Sequence, residues 1–207
     1  MFNVLIVEDR KMSRDCMEGY IKDSDRYRLA ASITNAGMAE MACMRYDIDL
    51  ILMDVCTEND ESGIEAAAVI KRHMPNIKII IVTSMADVGF IAKSKEAKAD
   101  SFWYKEVSEH ELLDIMDRTM GGESVYPDKT PEVKIGNALS GEFTPSELEV
   151  LRLLVKGLPD AEIAQTLHIS ISTVRWHIKE LFEKTGYNNR VTLACDVINK
   201  DLIVKGF

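Results

Sequence analysis

The chain has 207 residues, 46% of them hydrophobic and 29% charged, with a formal net charge of −9. That length holds one large domain or two small ones, and the apolar share is enough for packed cores. No apolar run is long enough to span a membrane, Met1 to Asp9 lack the basic start and cleavage site of a signal peptide, and the scattered cysteines (Cys16, Cys43, Cys56, Cys195) form no CxxC pair, so a cytoplasmic protein with reduced thiols is expected.

Apolar runs and helical periods alternate along the first 120 residues. A buried strand is predicted over residues 3–7, ending at Glu8-Asp9-Arg10, and then a helix with Met12, Cys16, Tyr20 and Ile21 on one face. Strands follow over residues 28–33, 49–53, 77–82 and 100–104. Helices fill the intervals at 38–46, 63–74 (stopped by Pro75) and 88–97, and a last one covers 109–120 with Leu112, Leu113, Ile115 and Met116 inward. Strand then helix, five times, implies a parallel sheet covered by helices on both faces.

Gly121-Gly122 breaks this pattern, and residues 121–142, with Pro127, Pro131 and Gly136, read as an interdomain linker. From 143 to 207 four short helices are predicted. Thr144-Pro145-Ser146-Glu147 starts the first as a capping box, with Leu148, Leu151 and Leu154-Val155 buried and Gly157 at its end. Asp160 caps the second, and His168-Ile169 makes a tight turn. Ser170 caps the third, which carries Val174, Ile178, Leu181 and Phe182 and closes at Gly186. The fourth runs over 190–199 with Val191, Leu193, Ala194, Val197 and Ile198.

Three predicted strand ends carry polar groups, Glu8-Asp9, Asp54 and Lys105, and a fourth carries Thr83. In a parallel sheet these ends share one edge, so the side chains can converge. Taken singly, Asp54 is either a helix cap or a working group, and Glu8-Asp9 can cap the first helix. Taken together, three adjacent carboxylates repel and raise one another's pKa, which a hard divalent cation such as Mg²⁺ relieves. A lysine ammonium beside that cation is poorly placed unless an anion bridges the two. The set reads as a place where Asp54 accepts a phosphoryl group whose charge the metal and Lys105 share, with Thr83 donating to a phosphate oxygen.

These residues resemble the receiver domain of two-component response regulators over residues 1–120. The resemblance implies a flavodoxin-like, doubly wound α/β fold with a five-stranded parallel sheet. It implies Asp54 as phosphoacceptor, Glu8 and Asp9 as metal-side acids with the Cys56 backbone carbonyl as a further ligand, and Thr83 and Lys105 as the phosphate-sensing pair. Phe102, three residues before Lys105, matches the family's switch aromatic. This sequence departs from the pattern in several places. Thr57-Glu58 stand where Met-Pro is usual, the loop to Gly63 is about one residue longer, Lys98 replaces a usual Gly, and Glu106 replaces the Pro after Lys105. Glu58, Asp60 and Glu61 add negative charge that either tunes the metal and phosphoryl group or merely solvates the loop. An aspartyl phosphatase is the enzyme alternative, but it needs a second acid two residues after the nucleophile, and that position is Cys56. A regulator and not an enzyme is expected.

Residues 1–122 have 15 Lys and Arg against 22 Asp and Glu and residues 143–207 have 8 against 8, so the acidic front half does not bind nucleic acid by itself and any DNA contact in the back half needs a local basic patch. The middle two helices and their tight turn have helix-turn-helix character. The candidate recognition helix shows Arg175, Trp176 and Lys179 opposite its apolar face, spaced to reach base edges or phosphates. The stretch Phe143 to Leu151, Glu162 to Leu167, Ile169 to Lys179 and Lys184 to Arg190 resembles the LuxR-type helix-turn-helix of NarL/FixJ response regulators. That resemblance implies groove contacts from Arg175, Trp176 and Lys179, phosphate contacts from Thr173, Lys184 and Arg190, and dimerisation on double-stranded DNA through the last helix. It also implies a partner histidine kinase that phosphorylates Asp54 to control transcription. A DNA-binding regulator whose receiver is not switched by phosphorylation is the alternative.

Overall fold

Three apolar runs, Val4 to Val7, Leu50 to Met53 and Ile79 to Val82, are too short for helices and too apolar for an exposed edge. They form the three inner strands of a five-stranded parallel sheet, and every residue in them is fully buried. The computed structural model describes residues 1–87, 89–105 and 109–203. Among these lie two compact units, one built on residues 1–84 and 89–128, the other on residues 85–87 and 129–203.

In the first unit the strands are β1 (Phe2–Val7), β2 (Tyr27–Ile33), β3 (Leu50–Asp54), two short strands β4 (Cys56–Thr57) and β5 (Glu61–Ser62), then β6 (Lys78–Thr83) and β7 (Ser101–Tyr104). The large sheet has the order β2-β1-β3-β6-β7, so the chain crosses over at β1 and winds helices onto both faces. Register places Val7 beside Met53, Asp54 beside Val82 and Thr83 beside Tyr104, which brings the C-terminal ends of β1, β3, β6 and β7 to one rim.

The helices are α1 (Lys11–Lys22), α2 (Ala39–Arg45), α3 (Gly63–His73), α4 (Gly89–Glu96) and α5 (Glu109–Met120). Successive strand side chains point to opposite faces. Val4, Ile6, Leu50, Leu52, Ile80, Val82 and Trp103 pack against Met17 and Ile21 of α1 and Leu112 and Met116 of α5. The face expected for α1 holds at Ile21, which is buried, and at Tyr20, which packs against the core, but not at Met12, 87% exposed, or at Cys16, also exposed. Met17 takes their place against the sheet. The first residue of the helix expected at 88–97 and the departure at Glu106 lie outside the described residues.

The expected linker, 121–142, is taken up at both ends. Phe102 N donates to Val125 O at 2.8 Å, Val125 N to Ser101 Oγ at 3.0 Å, and the Tyr126 hydroxyl to Ala99 O at 2.7 Å, so this stretch extends the sheet edge beyond β7. In the second unit β8 (Lys134–Ile135) pairs antiparallel with β9 (Ala138–Leu139). Ile135 and Ala138 are buried with Phe143, Leu148, Leu151, Leu181, Leu193 and Val197.

Four helices build the rest of the second unit: α6 (Pro145–Val155), α7 (Asp160–Leu167), α8 (Ile171–Thr185) and α9 (Arg190–Asn199). The predicted capping box is present, with Glu147 N donating to Thr144 Oγ1 at 3.3 Å and Thr144 N to Glu147 Oε2 at 2.7 Å. His168, at φ 54°, ends α7 in the left-handed region, and Ser170 Oγ accepts from Thr173 N at 3.1 Å to start α8. Pro159, not Asp160, occupies the cap position of α7. No described helix is long and apolar enough to cross a membrane.

Candidate functional site

The rim of the parallel sheet collects the predicted acid site. Glu8 follows β1 and is fully buried, Asp54 ends β3 and is 5% exposed, and Asp9 is exposed. Each offers a carboxylate oxygen, and the three atoms lie within 4.8 Å of one another. Lys105, directly after β7, places Nζ 3.1 Å from Asp54 Oδ1 and also pairs with Glu8. Burial, partly offset by the Lys105 ammonium, together with the adjacent Glu8 charge, holds the Asp54 carboxyl well above the usual carboxylate range, at about 7.

Thr83 ends β6 fully buried, and its carbonyl accepts from Lys105 N at 2.9 Å. Phe102 is buried, its ring centroid 5.0 Å from that of Tyr104, edge-on, and 6.4 Å from that of Tyr126. Cys56 opens β4 two residues past Asp54 and pairs with Ser62.

The loop after Asp54 is docked to its neighbour. Buried Thr57 accepts through Oγ1 from Ala36 N and donates to Glu61 O, both at 2.9 Å. Glu58 accepts from the Thr34 hydroxyl at 2.6 Å and, through its carbonyl, from Asn35 Nδ2 at 2.8 Å. Asn59 and Asp60 turn through φ 64° and 59°, a region that Asn and Asp tolerate better than most non-glycine residues.

Two supports of the rim were not anticipated. Arg14, one turn into α1, donates through Nη1 to Glu8 O at 2.8 Å and fixes the backbone of the acid pair. Gly63 begins α3 so close to the acceptor strand that a Cβ there would sit 1.8 Å from Asp54 O. A glycine soon after a polar loop was the visible signal for the second; the first has none, because the contact depends on how α1 docks.

On the second unit, α8 exposes Arg175, Trp176 and Lys179 along one side, with Trp176 55% exposed. Thr173 stays within the cap, its hydroxyl 2.8 Å from that of Ser170. Asp160 accepts from Arg175 Nε and from Arg190 Nη1, both at 3.2 Å, and so ties the recognition helix to α9. Lys184 is not free on this face. Its ammonium donates to both oxygens of buried Glu147, at 2.7 and 2.9 Å, and to Glu142 O at 2.9 Å. The carboxylate of Glu147 therefore pairs with Lys184. His177 is buried on α8. On α9, Leu193 and Val197 are core, while Val191 is 64% exposed.

Residues 4–117 match the model of the response regulator receiver domain, and residues 142–197 match that of the luxR family of bacterial regulatory proteins. The chain is a response regulator. It is similar to the response regulator protein VraR of Staphylococcus aureus strain Mu3, at 30% identity over 97% of this chain and 98% of VraR. Among solved structures, one of two RcsB dimers bound to two parallel DNAs aligns with TM-score 0.65 and 21% identity over 95% of this chain and 97% of that one. RcsB from Salmonella enterica serovar Typhimurium, bound to promoter rprA with the phosphomimetic BeF3⁻, aligns with TM-score 0.61 and 22% identity over 95% and 98%. At those identities the structures show that the fold is shared.

This response regulator thus joins a receiver unit to a LuxR-type DNA-binding unit. The receiver brings Glu8, Asp9, Asp54 and Lys105 together, with Thr83 and Phe102 on the adjoining strands. The helical unit brings Arg175, Trp176 and Lys179 to one side of α8, with Arg190 joined to them through Asp160.

Proposed function

We propose that Asp54 accepts a phosphoryl group from a partner histidine kinase, and that this controls binding of the helical unit to double-stranded DNA and hence transcription. The observation that supports it most is the Lys105 ammonium 3.1 Å from Asp54 Oδ1, beside three carboxylates whose ligand atoms lie within 4.8 Å. In the transfer an Asp54 oxygen bonds to phosphorus as the bond from phosphorus to the kinase imidazole nitrogen breaks, leaving the electron pair on nitrogen. Lys105 then exchanges carboxylate partners for a phosphate oxygen, and the Thr83 hydroxyl donates to another. Phe102, on β7 next to the strand that Thr83 ends, follows Thr83.

Three converging carboxylates form a donor set of the charge and hardness that suits Mg²⁺. Glu8, Asp9 and Asp54, with the Cys56 carbonyl, would hold it. When bound it supplies charge neutralisation for the transferred group. On the DNA side Arg175, Trp176 and Lys179 enter the major groove, and Thr173 and Arg190 contact phosphates. Lys184 reaches a phosphate only by leaving Glu147. As with the RcsB dimers on DNA, two copies bind together, and the exposed Val191 on α9 is available to that contact. This reading makes the protein a cytoplasmic regulator and not an enzyme.

The test is to incubate the full chain with acetyl phosphate and Mg²⁺ and follow intact mass. The native chain is expected to gain one phosphoryl group and Asp54→Asn none; equal modification of both removes Asp54 as acceptor. A second reading, a receiver that binds DNA without switching, is favoured by the acceptor loop being tied through Thr57 and Glu58 to residues 34–36. DNA affinity that is the same with and without acetyl phosphate would support it.

A further inference from the structure

A carboxylate beside a helix that meets DNA repels phosphates unless its charge is neutralised locally. Residues 143–207 hold 8 Lys and Arg against 8 Asp and Glu, so the helical unit has no positive field to mask one. Asp160, in the first turn of α7, is such a group, and it reaches the side of α8 that exposes Arg175.

The Asp160 carboxylate is held from its far side. Oδ1 accepts from Arg190 Nη1 at 3.2 Å, and Arg190 Nη2 donates to Leu158 O at 3.1 Å, so the carboxylate is tied to the backbone through a residue of α9. Its other oxygen, Oδ2, accepts from Arg175 Nε at 3.2 Å. Among the described residues neither Nη of Arg175 has a hydrogen-bond partner, and the Arg175 side chain is 72% exposed against 24% for Asp160. An unrestrained arginine loses the freedom of a long side chain when it docks. One gripped at Nε has lost part of that freedom already, and its two Nη groups stay available as a planar pair of donors. Such a pair matches the O6 and N7 acceptors that guanine presents in the major groove; adenine puts a donor in place of O6.

We propose that Asp160 is a positioning residue for base recognition: it orients Arg175 through Nε so that the Nη pair reads a guanine, while Arg175 and Arg190 together neutralise its charge against the DNA phosphates. This rests on the reading that α8 enters the major groove, and not on the switch at Asp54.

The test selects duplexes with a randomised core on the full chain, with and without acetyl phosphate and Mg²⁺. Affinity for the selected duplex is then measured with adenine or 7-deazaguanine, which lacks only the N7 acceptor, at each selected guanine. The native chain is expected to lose about tenfold at one guanine per bound copy when adenine replaces it, and several-fold with 7-deazaguanine. Asp160→Asn is expected to bind a random duplex at least as well as the native chain, to bind the selected duplex several-fold more weakly, and to lose little when that guanine becomes 7-deazaguanine. Asp160→Glu, which keeps the charge, should retain most of the discrimination. Arg175→Ala should abolish it at the same base pair, and Asp160→Asn added to that variant should not reduce it further. A loss in Asp160→Asn shared equally by selected and random duplexes would make the residue a support of the fold and overturn the proposal. An undiminished 7-deazaguanine effect in that variant, or a selected site without such a guanine, would also overturn it. Tighter binding to every duplex with the guanine preference intact would leave Asp160 only a rival of the phosphates and overturn it too. If the native chain selects no duplex, the DNA-binding reading falls and the proposal with it.

Discussion

Lys98 occupies the left-handed region, at φ 60°, just past the end of α4. Its N–H donates to Lys95 O and the next N–H, of Ala99, to Ser94 O, both at 3.0 Å, which is how a helix end satisfies its last carbonyls. A Cβ there crowds the following carbonyl at about 1–2 kcal/mol, a cost glycine lacks. Glycine's greater freedom in the unfolded chain offsets part of that gain. Lys98→Gly is therefore expected to stabilise the receiver unit by about 0.5–1 kcal/mol. The check is its melting transition, which should rise by roughly 2–4 °C; Lys98→Ala, which keeps the Cβ, should leave it nearly unchanged. The sequence flagged this position because it departs from the family's glycine, and the backbone explains why glycine is usual. Asp54, Glu8 and Lys105 were legible for a different reason. Each directly follows or ends a strand buried on both faces, and parallel strands deliver such residues to one rim. Arg14 and Asp160 were not legible as supports, because their roles lie in contacts that only docking of the elements creates.

Elements show the same divide. The inner strands were readable because four consecutive buried apolar residues have few other solutions, and α6 because its capping box marks its start. The inward face of α1 was not fully readable, since Tyr20 and Ile21 do face the core but Met12 and Cys16 are as apolar as Met17, and periodicity does not say which of them meets the sheet. Nor was the hairpin of β8 and β9, because two-residue strands carry no period. The start of α6 also yields a prediction. Burial pushes the Glu147 carboxyl up, but the Lys184 ammonium and the Thr144 N–H outweigh that and hold it below the ordinary carboxylate range. A carboxyl depressed in the folded state contributes stability that is complete above its unfolded pKa, about 4.3, and is lost as pH falls through the folded value. Lys184→Met removes the main partner of a buried carboxylate and is expected to cost the helical unit about 1–3 kcal/mol at neutral pH. The loss should shrink as the carboxyl protonates, so native and variant stabilities should converge as pH falls below the ordinary carboxylate range. Urea unfolding followed by circular dichroism across that range is the measurement. A variant as stable as the native chain at pH 7 would mean that Lys184 is held by Glu147 in geometry only, and would return it to the DNA-facing set.

For the whole molecule, charge decides how DNA is held. The chain carries −9 overall, so attraction to a polyanion must come from a few placed cations and not from a general field. Lys184 is committed to buried Glu147, whereas Arg175 and Arg190 pair with Asp160 and Lys179 with Glu183 at more exposed positions, so these three are the cations more readily turned to DNA. Each phosphate neutralised releases counterions, and the logarithm of the affinity falls with the logarithm of salt at a slope near −0.9 per contact. The slope for one copy therefore counts the phosphates that its cations reach. It separates two ways in which phosphorylation can raise DNA affinity. If it only enriches a binding-competent single copy, the affinity at every salt concentration rises by one factor and the slope stays the same. If it brings two copies onto the DNA together, the phosphates contacted per bound particle double, and the slope doubles with a binding curve that steepens in protein concentration. The second outcome is expected, as two copies acting together is the arrangement proposed for the exposed side of α9. Titrations of the full chain against a fixed duplex at several salt concentrations, with and without acetyl phosphate and Mg²⁺, give both slopes from one set of curves. An unchanged slope with increased affinity would exclude pairing as the switch, and Arg190→Ala, which removes a phosphate contact and is expected to reduce the slope by about 1 per copy, calibrates the count.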